Sequence, residues 1–199
     1  MNDLYVVKNV MIKEMNAINQ MSNLLSDELQ SCIEALYECE GRIIFSGVGK
    51  SGHIGEKLAA TFASTGTPAF FVHACEAVHG DLGMIKKEDI VILLSHSGKT
   101  MEIMNLLHAL KGIGCGCIAM CSDEDSPLAQ GCDRSIIYPS LQEADRLNLA
   151  PTVSSTLMLV LGDAIACALM ERKEFEESDF YRYHPGGNLG KRLEEKHHE

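Results

Sequence analysis

Hydrophobic positions along the chain follow two rhythms, and the change between them comes near residue 40. Before it, Val7, Val10, Met11, Met15, Ile18, Met21, Leu24 and Leu25 recur at three- and four-residue steps, and Ile33, Leu36 and Tyr37 continue them. That is the spacing of one helical face. It predicts a long amphipathic N-terminal helix over residues 4–38, packed on the domain and on a second subunit. A methionine-rich stripe of this kind is ordinarily core or partner interface, not a ligand box. From Arg42 onward, short apolar runs alternate with helical patterns. Strands are expected at 42–46, 69–73, 90–94, 115–119 and 134–138, and helices at 52–64, 100–111, 126–131 and 152–171. Runs such as Ile90-Val-Ile-Leu-Leu94 are apolar on both faces, as strands of a parallel sheet covered by helices must be. The expected architecture is α/β: a doubly wound parallel five-stranded sheet behind the long N-terminal helix, with ligands at the carboxyl ends of the strands. Residues 1–40 form the helical segment, 41–193 the domain and 194–199 a charged tail.

Composition narrows the function classes. At 199 residues the chain suits one domain with an ample core. Its net charge of -11 argues against non-specific binding to nucleic acid or anionic membranes, which needs clustered Lys and Arg. A local cationic pocket is still compatible with that balance. No apolar run is read as reaching membrane-spanning length, and the N-terminus lacks a signal-peptide pattern. The expectation is a cytoplasmic protein. Eight cysteines lie mostly in apolar segments and include no C-x-x-C pair, so neither a zinc ribbon nor a redox motif is indicated. Cys115 and Cys117 alternate along a strand as small buried hydrophobes.

Chemistry gathers first at Gly47-Val-Gly-Lys-Ser-Gly52, between the first strand and the helix after it. Glycines there let a ligand approach the backbone, the helix N-terminus favours an anion, and Lys50 and Ser51 add a cation and a hydroxyl. The spacing matches a dinucleotide fingerprint, but the second strand ends in His73, with Glu76 the only nearby acid. A Walker loop would need glycine where Ile44 stands. The turn therefore reads as a phosphate or sugar-phosphate site. A second loop, Ser95-His-Ser-Gly-Lys-Thr100, offers three hydroxyls and another helix N-terminus. One hydroxyl suffices for a helix cap, and the surplus points to a ligand.

Taken together, Gly47–Gly52, Ser95-x-Ser-Gly-x-Thr100 and His79-Gly-Asp-Leu-Gly83 resemble a sugar isomerase (SIS) domain. The resemblance extends through residues 59–73, Leu149-Ala-Pro-Thr152, Gly162-Asp-Ala164 and His184-Pro-Gly-Gly-x-Leu-Gly190, about 40–193 in all. It is nearest to the KpsF/GutQ-type arabinose-5-phosphate isomerases. It implies a flavodoxin-like sheet and interconversion of D-ribulose 5-phosphate and D-arabinose 5-phosphate. It also implies no cofactor and a homotetramer with sites between subunits. Carried over by position, the family's functional residues fall on Lys50, His79, Glu102, Glu143 and His184. Ser51, Ser95, Ser97 and Thr100 fall where the family holds the phosphate, and Gly49, Gly98 and Ser154 complete the candidate binding set.

The residue chemistry agrees with that reading. Aldose–ketose isomerisation removes a proton beside a carbonyl and returns it one carbon away, a shuttle suited to a carboxylate. Glu143 is the preferred base and Glu102 the runner-up. His184 is assigned ring opening or proton relay, and Lys50 stabilisation of the enediolate. Structural alternatives stand beside each: Glu102 suits a helix first turn, and His184 precedes a turn and could bond backbone. His79 could do the same, or bind a metal with another histidine. His53, His73, His96 and His108 are read as structural or peripheral. Three features depart from the family pattern. Lys99 replaces a carboxylate, making the loop more cationic. Ala144-Asp-Arg-Leu-Asn148 stands where Ala-Cys-Pro-Leu-Gly is common. The chain ends in its charged tail where many relatives continue into paired cystathionine-β-synthase-type domains, so regulation through them is expected to be absent. The alternative function is a non-catalytic sugar-phosphate or nucleotide-sugar sensor.

Overall fold

The computed structural model describes residues 2–184; Pro185 to Gly190 of the family match and the 194–199 tail lie outside them. The N-terminal periodicity resolves into two helices, α1 (Asp3–Ser22) and α2 (Asp27–Tyr37), not one through residue 38. The break has a local cause. Ser26 is extended (φ -123°, ψ 165°) and its side chain accepts from Leu29 N at 3.5 Å, with Asp27 and Glu28 following in the first turn. A serine before two acids is a helix start, and the hydrophobic rhythm ran across it unbroken.

The remaining elements are β1 (Ile43–Gly47), α3 (Gly49–Ser64), β2 (Ala69–Phe71), α4 (Ala74–Ala77), β3 (Ile90–Leu94), α5 (Met101–Ile113), β4 (Gly116–Cys121), α6 (Pro127–Gly131), β5 (Arg134–Ile137), α7 (Val153–Arg172) and α8 (Glu177–Tyr183). A 3-10 turn covers Asp81–Met84. All strand pairs are parallel, in the order β2-β1-β3-β4-β5. The chain therefore leaves β1 towards one edge and β3 towards the other, which opens a crevice at their carboxyl ends.

Alternation along the strands builds two cores. Phe45, Ile92, Leu94, Ile118 and Met120 face α1, α2, α3 and α7, with Phe62 edge-on to Phe45 at 4.9 Å between centroids. Ile44, Val91, Leu93 and Ala119 face α4, α5 and α6. The sheet is thus apolar on both sides because both sides are covered. Helix α7, 20 residues with a mean hydropathy of 1.9, is long and apolar enough by composition to cross a membrane, contrary to the sequence reading. In the fold it is a core helix: Leu157, Met158, Leu161 and Ile165 are buried in the first core with α1, α2 and α3. All eight cysteines are unpaired, and Cys115 and Cys117 are buried as expected. Burial pushes the Cys32 and Cys132 thiols up to about 11 and about 12, so neither is a thiolate at neutral pH.

Candidate functional site

The first loop is set by close contact. A Cβ on Gly47 would lie 2.8 Å from Gly52 N, so the end of β1 and the start of α3 can touch only through glycine. Helix α3 begins at Gly49, three residues earlier than the periodicity suggested, which puts Lys50 and Ser51 in its first turn. Val48, at the N-cap (φ -128°, ψ 145°), supplies no side-chain cap. The first N–H groups of α3 are therefore open to an anion.

The second loop is knitted to itself. Ser95, buried at 2% exposure, has its Oγ 2.9 Å from Thr100 Oγ1, and Ser97 Oγ accepts from Lys99 N at 3.2 Å. Thr100 occupies the N-cap of α5 but makes no side-chain cap, its hydroxyl being engaged with Ser95. Gly98 sits at φ +63° with no room for a Cβ beside the Ser126 side chain. Lys99 Nζ lies 3.6 Å from Asp123 Oδ2. Its charge is thus answered locally, and the extra cationic character expected of this loop is offset.

Glu143 follows β5 and turns back onto the start of α7. Its Oε2 accepts from Thr152 N (2.7 Å), Thr152 Oγ1 (3.0 Å) and Ser154 N (3.3 Å), and its Oε1 accepts from Ser154 Oγ. Burial acts to raise this carboxyl. The hydrogen bonds from Ser154 and Thr152 outweigh it and hold Glu143 below the usual carboxylate range. It is therefore ionised at neutral pH and caps α7, and Oε1 keeps a lone pair. The divergent 144–148 segment makes its own turn. Asp145 accepts from Leu147 N, Leu149 N and Ala150 N, all at 2.8–2.9 Å. Asn148 takes a left-handed φ of 55°, and its Oδ1 accepts from Glu143 N at 2.6 Å. Side-chain hydrogen bonds thus do here what proline and glycine do elsewhere.

A cavity of about 460 Å³ at the carboxyl ends of β1 and β3 is lined by Lys50, Ser51, His96, Glu143, Asn148 and Ser154, among others. It unites Lys50, Ser51, Glu143 and Ser154. Gly49, Ser95, Ser97, Gly98, Thr100, Glu102, His79 and His184 do not line it. Glu102 is exposed in the first turn of α5. His79 is exposed before the 3-10 turn. His184 lies against Phe180, with its Nδ1 2.9 Å from Phe180 O and the rings stacked at 3.9 Å. Among the described residues no three His, Cys, Asp or Glu side chains converge as a metal site. His96, read as peripheral, lines the cavity. Its position between Ser95 and Ser97, in the loop singled out for phosphate, was the available signal.

Residues 35–168 match the SIS domain family. A probable arabinose 5-phosphate isomerase of Haemophilus influenzae is 46% identical over 193 residues, 97% of this chain and 57% of its own length. The arabinose 5-phosphate isomerase KdsD of Pseudomonas aeruginosa is 49% identical over 180 residues, 90% of this chain and 55% of its own. The chain thus spans a little over half the length of these relatives. An Escherichia coli protein solved in complex with arabinose 5-phosphate superposes with a TM-score of 0.91 at 49% identity, covering 93% of this chain and 100% of that one.

Proposed function

The chain belongs to the SIS domain family, and from that premise we propose that it is a sugar-phosphate isomerase interconverting D-arabinose 5-phosphate and D-ribulose 5-phosphate. The observation that carries the reading is one cavity shared by a cationic helix start and an ionised carboxylate, Lys50 and Ser51 on one side and Glu143 on the other. The phosphate is held by Lys50, Ser51 and the open N–H groups of α3. Glu143 takes the carbon-bound proton on Oε1, and the cation at Lys50 stabilises the enediolate. The names of the relatives and the ligand of the Escherichia coli protein support the substrate.

The remaining family positions fit a site completed by neighbouring copies. Glu102, His79 and His184 lie outside the cavity of a single chain and would join it across an interface in a homotetramer. The outer face of α1 supports assembly: Leu4, Val7, Met11 and Met15 are 76%, 54%, 66% and 60% exposed along one stripe. Unpaired thiols throughout support a reducing, cytoplasmic setting.

Purified protein given ribulose 5-phosphate in heavy water tests the reading by proton NMR. Arabinose 5-phosphate is expected to accumulate with solvent deuterium at C2. Tight binding without conversion or exchange would overturn the isomerase and favour the sensor.

A further inference from the structure

Tyr138, just after β5, is buried at 1% exposure. A buried phenol hydrogen needs an acceptor, and the partner of this hydroxyl among the described residues is His96 Nδ1 at 3.2 Å. If Nδ1 carried the ring hydrogen, the phenol hydrogen would have no acceptor among the described residues. Tyr138 therefore donates, Nδ1 accepts, and the imidazole hydrogen sits on Nε2. The ring is held in place as well as in tautomer. It lies near-parallel to the Tyr138 ring (28°, 5.8 Å between centroids), and its carbonyl accepts from Ser122 N at 3.0 Å and Ser122 Oγ at 2.8 Å. With Nδ1 turned to Tyr138, Nε2 occupies the other edge of a ring that lines the cavity with Lys50 and Glu143. No hydrogen bond to Nε2 is present among the described residues.

We propose that His96 contacts the substrate as a neutral hydrogen-bond donor, its Nε2–H directed at the sugar carbonyl oxygen across the cavity from Glu143, and that Tyr138 is the positioning residue that fixes this tautomer. The proposal rests on the isomerase reading above. Burial pushes the His96 imidazole below its usual value while the Glu143 charge pulls it back, and burial prevails, so the ring is uncharged at neutral pH. The same negative charge at Glu143 disfavours a phosphate dianion beside His96 and favours an uncharged oxygen there; Lys50 and the α3 N-terminus take the phosphate instead. In the reaction, Glu143 Oε1 removes the carbon-bound proton and that electron pair forms the carbon–carbon double bond. The carbonyl pair moves onto oxygen, where Nε2–H stabilises it. The hydroxyl proton passes from the second oxygen to the first, the carbonyl reforms at the second oxygen on the carbon that lost its hydrogen, and Glu143 delivers its proton to the neighbouring carbon that bore the original carbonyl. His96 ends as it began. A carboxylate base facing a neutral imidazole is the pairing that triosephosphate isomerase uses for the same class of reaction.

Histidine ¹⁵N NMR, with His96 assigned by its loss in H96N, tests the tautomer without any turnover. The expected result is an unprotonated Nδ1 and a protonated Nε2, both averaging towards a free tautomer mixture in Y138F. Adding arabinose 5-phosphate is expected to shift Nε2, and inorganic phosphate is expected to leave it in place. Kinetically, H96A is expected to lower kcat ~10²-fold with KM little changed. H96N, which keeps a neutral N–H donor, is expected to recover much of that loss, and Y138F to lower kcat roughly 10-fold. Protonated Nδ1 in the wild type, an Nε2 resonance blind to the sugar phosphate, an equal shift with inorganic phosphate, or wild-type kcat in H96A would each overturn the proposal. A wild type that converts no sugar phosphate overturns the isomerase reading alone; the ligand-induced Nε2 shift then still decides whether His96 makes the contact.

Discussion

The two ends of the sheet each carry a shielded carboxylate, and their surroundings differ in kind. At the amino ends of β1 and β3, Asp89 accepts from Arg42 N (2.8 Å), Arg42 Nε (3.3 Å), Arg42 Nη2 (2.9 Å) and Lys86 N (2.8 Å), at 2% side-chain exposure. At the carboxyl side, Glu143 is held by the hydroxyls and backbone N–H groups of Thr152 and Ser154, all neutral. Burial acts to raise both carboxyls, and donors hold both below the usual range. Asp89 spends its charge on a guanidinium and closes the space around it. Glu143 is ionised with no cation in its immediate shell, and it faces a cavity where Lys50 supplies one. A paired charge stitches strands together; an oriented charge beside an open cavity can act on a ligand.

The comparison is broken most sharply by exchanging carboxylate for amide at each end. Glu143→Gln keeps the shape, since its amide oxygen can accept from Thr152 N and Ser154 N while its NH2 donates to a rotated Ser154 hydroxyl. Turnover is expected to fall ~10²–10⁴-fold while thermal stability and phosphate binding persist. Stopped-assay rates beside a melting curve check this, and near-normal turnover would move the base elsewhere. Asp89→Ala is expected to do the reverse. It leaves two backbone donors and a guanidinium without their acceptor and costs about 3 kcal/mol of stability in a urea titration, with kcat per folded molecule unchanged.

Acid sharpens the same contrast. Because the folded Asp89 carboxyl lies below its unfolded value, its stabilisation is complete above the ordinary aspartate pKa of ~3.9 and is lost as pH falls below it towards the folded value. Asp89→Asn is therefore expected to flatten the loss of stability below about pH 4 seen in the wild type. Gly98→Ala probes the loop that leaves the carboxyl end of β3, where a left-handed backbone and the Ser126 side chain both exclude a Cβ. It is expected to cost roughly 1–3 kcal/mol in chemical denaturation. The smallest effect is expected from the half-exposed Lys57–Asp163 pair linking α3 to α7. Lys57→Ala is expected to change stability by under ~1 kcal/mol, and less in high salt.

Sequence periodicity alone determined the parallel sheet. The runs of β1, β3 and β4, apolar on both faces, admit little else, because polar positions would have to alternate if either face met water; β5, Arg134-Ser-Ile-Ile137, is the half-exposed edge. Local chemistry likewise located both loops, since glycine spacing and hydroxyl density are readable one residue at a time. Hydrophobic spacing did not show that the N-terminal helix would split at Ser26, because it is blind to a cap; the signal lay in Ser26-Asp27-Glu28 itself. Nor did the sequence show that Glu143 would be a helix cap whose Oε1 stays available, that Asp145 and Asn148 would rebuild a turn lacking proline and glycine, or that His96 would join the cavity with its tautomer set by Tyr138. The turn at Asp145 and Asn148 is closed by bonds two to five residues apart, whereas the His96–Tyr138 contact joins residues 42 apart at the sheet's carboxyl edge. Burial and hydrogen bonding there set protonation and orientation, and those are properties of the packed structure.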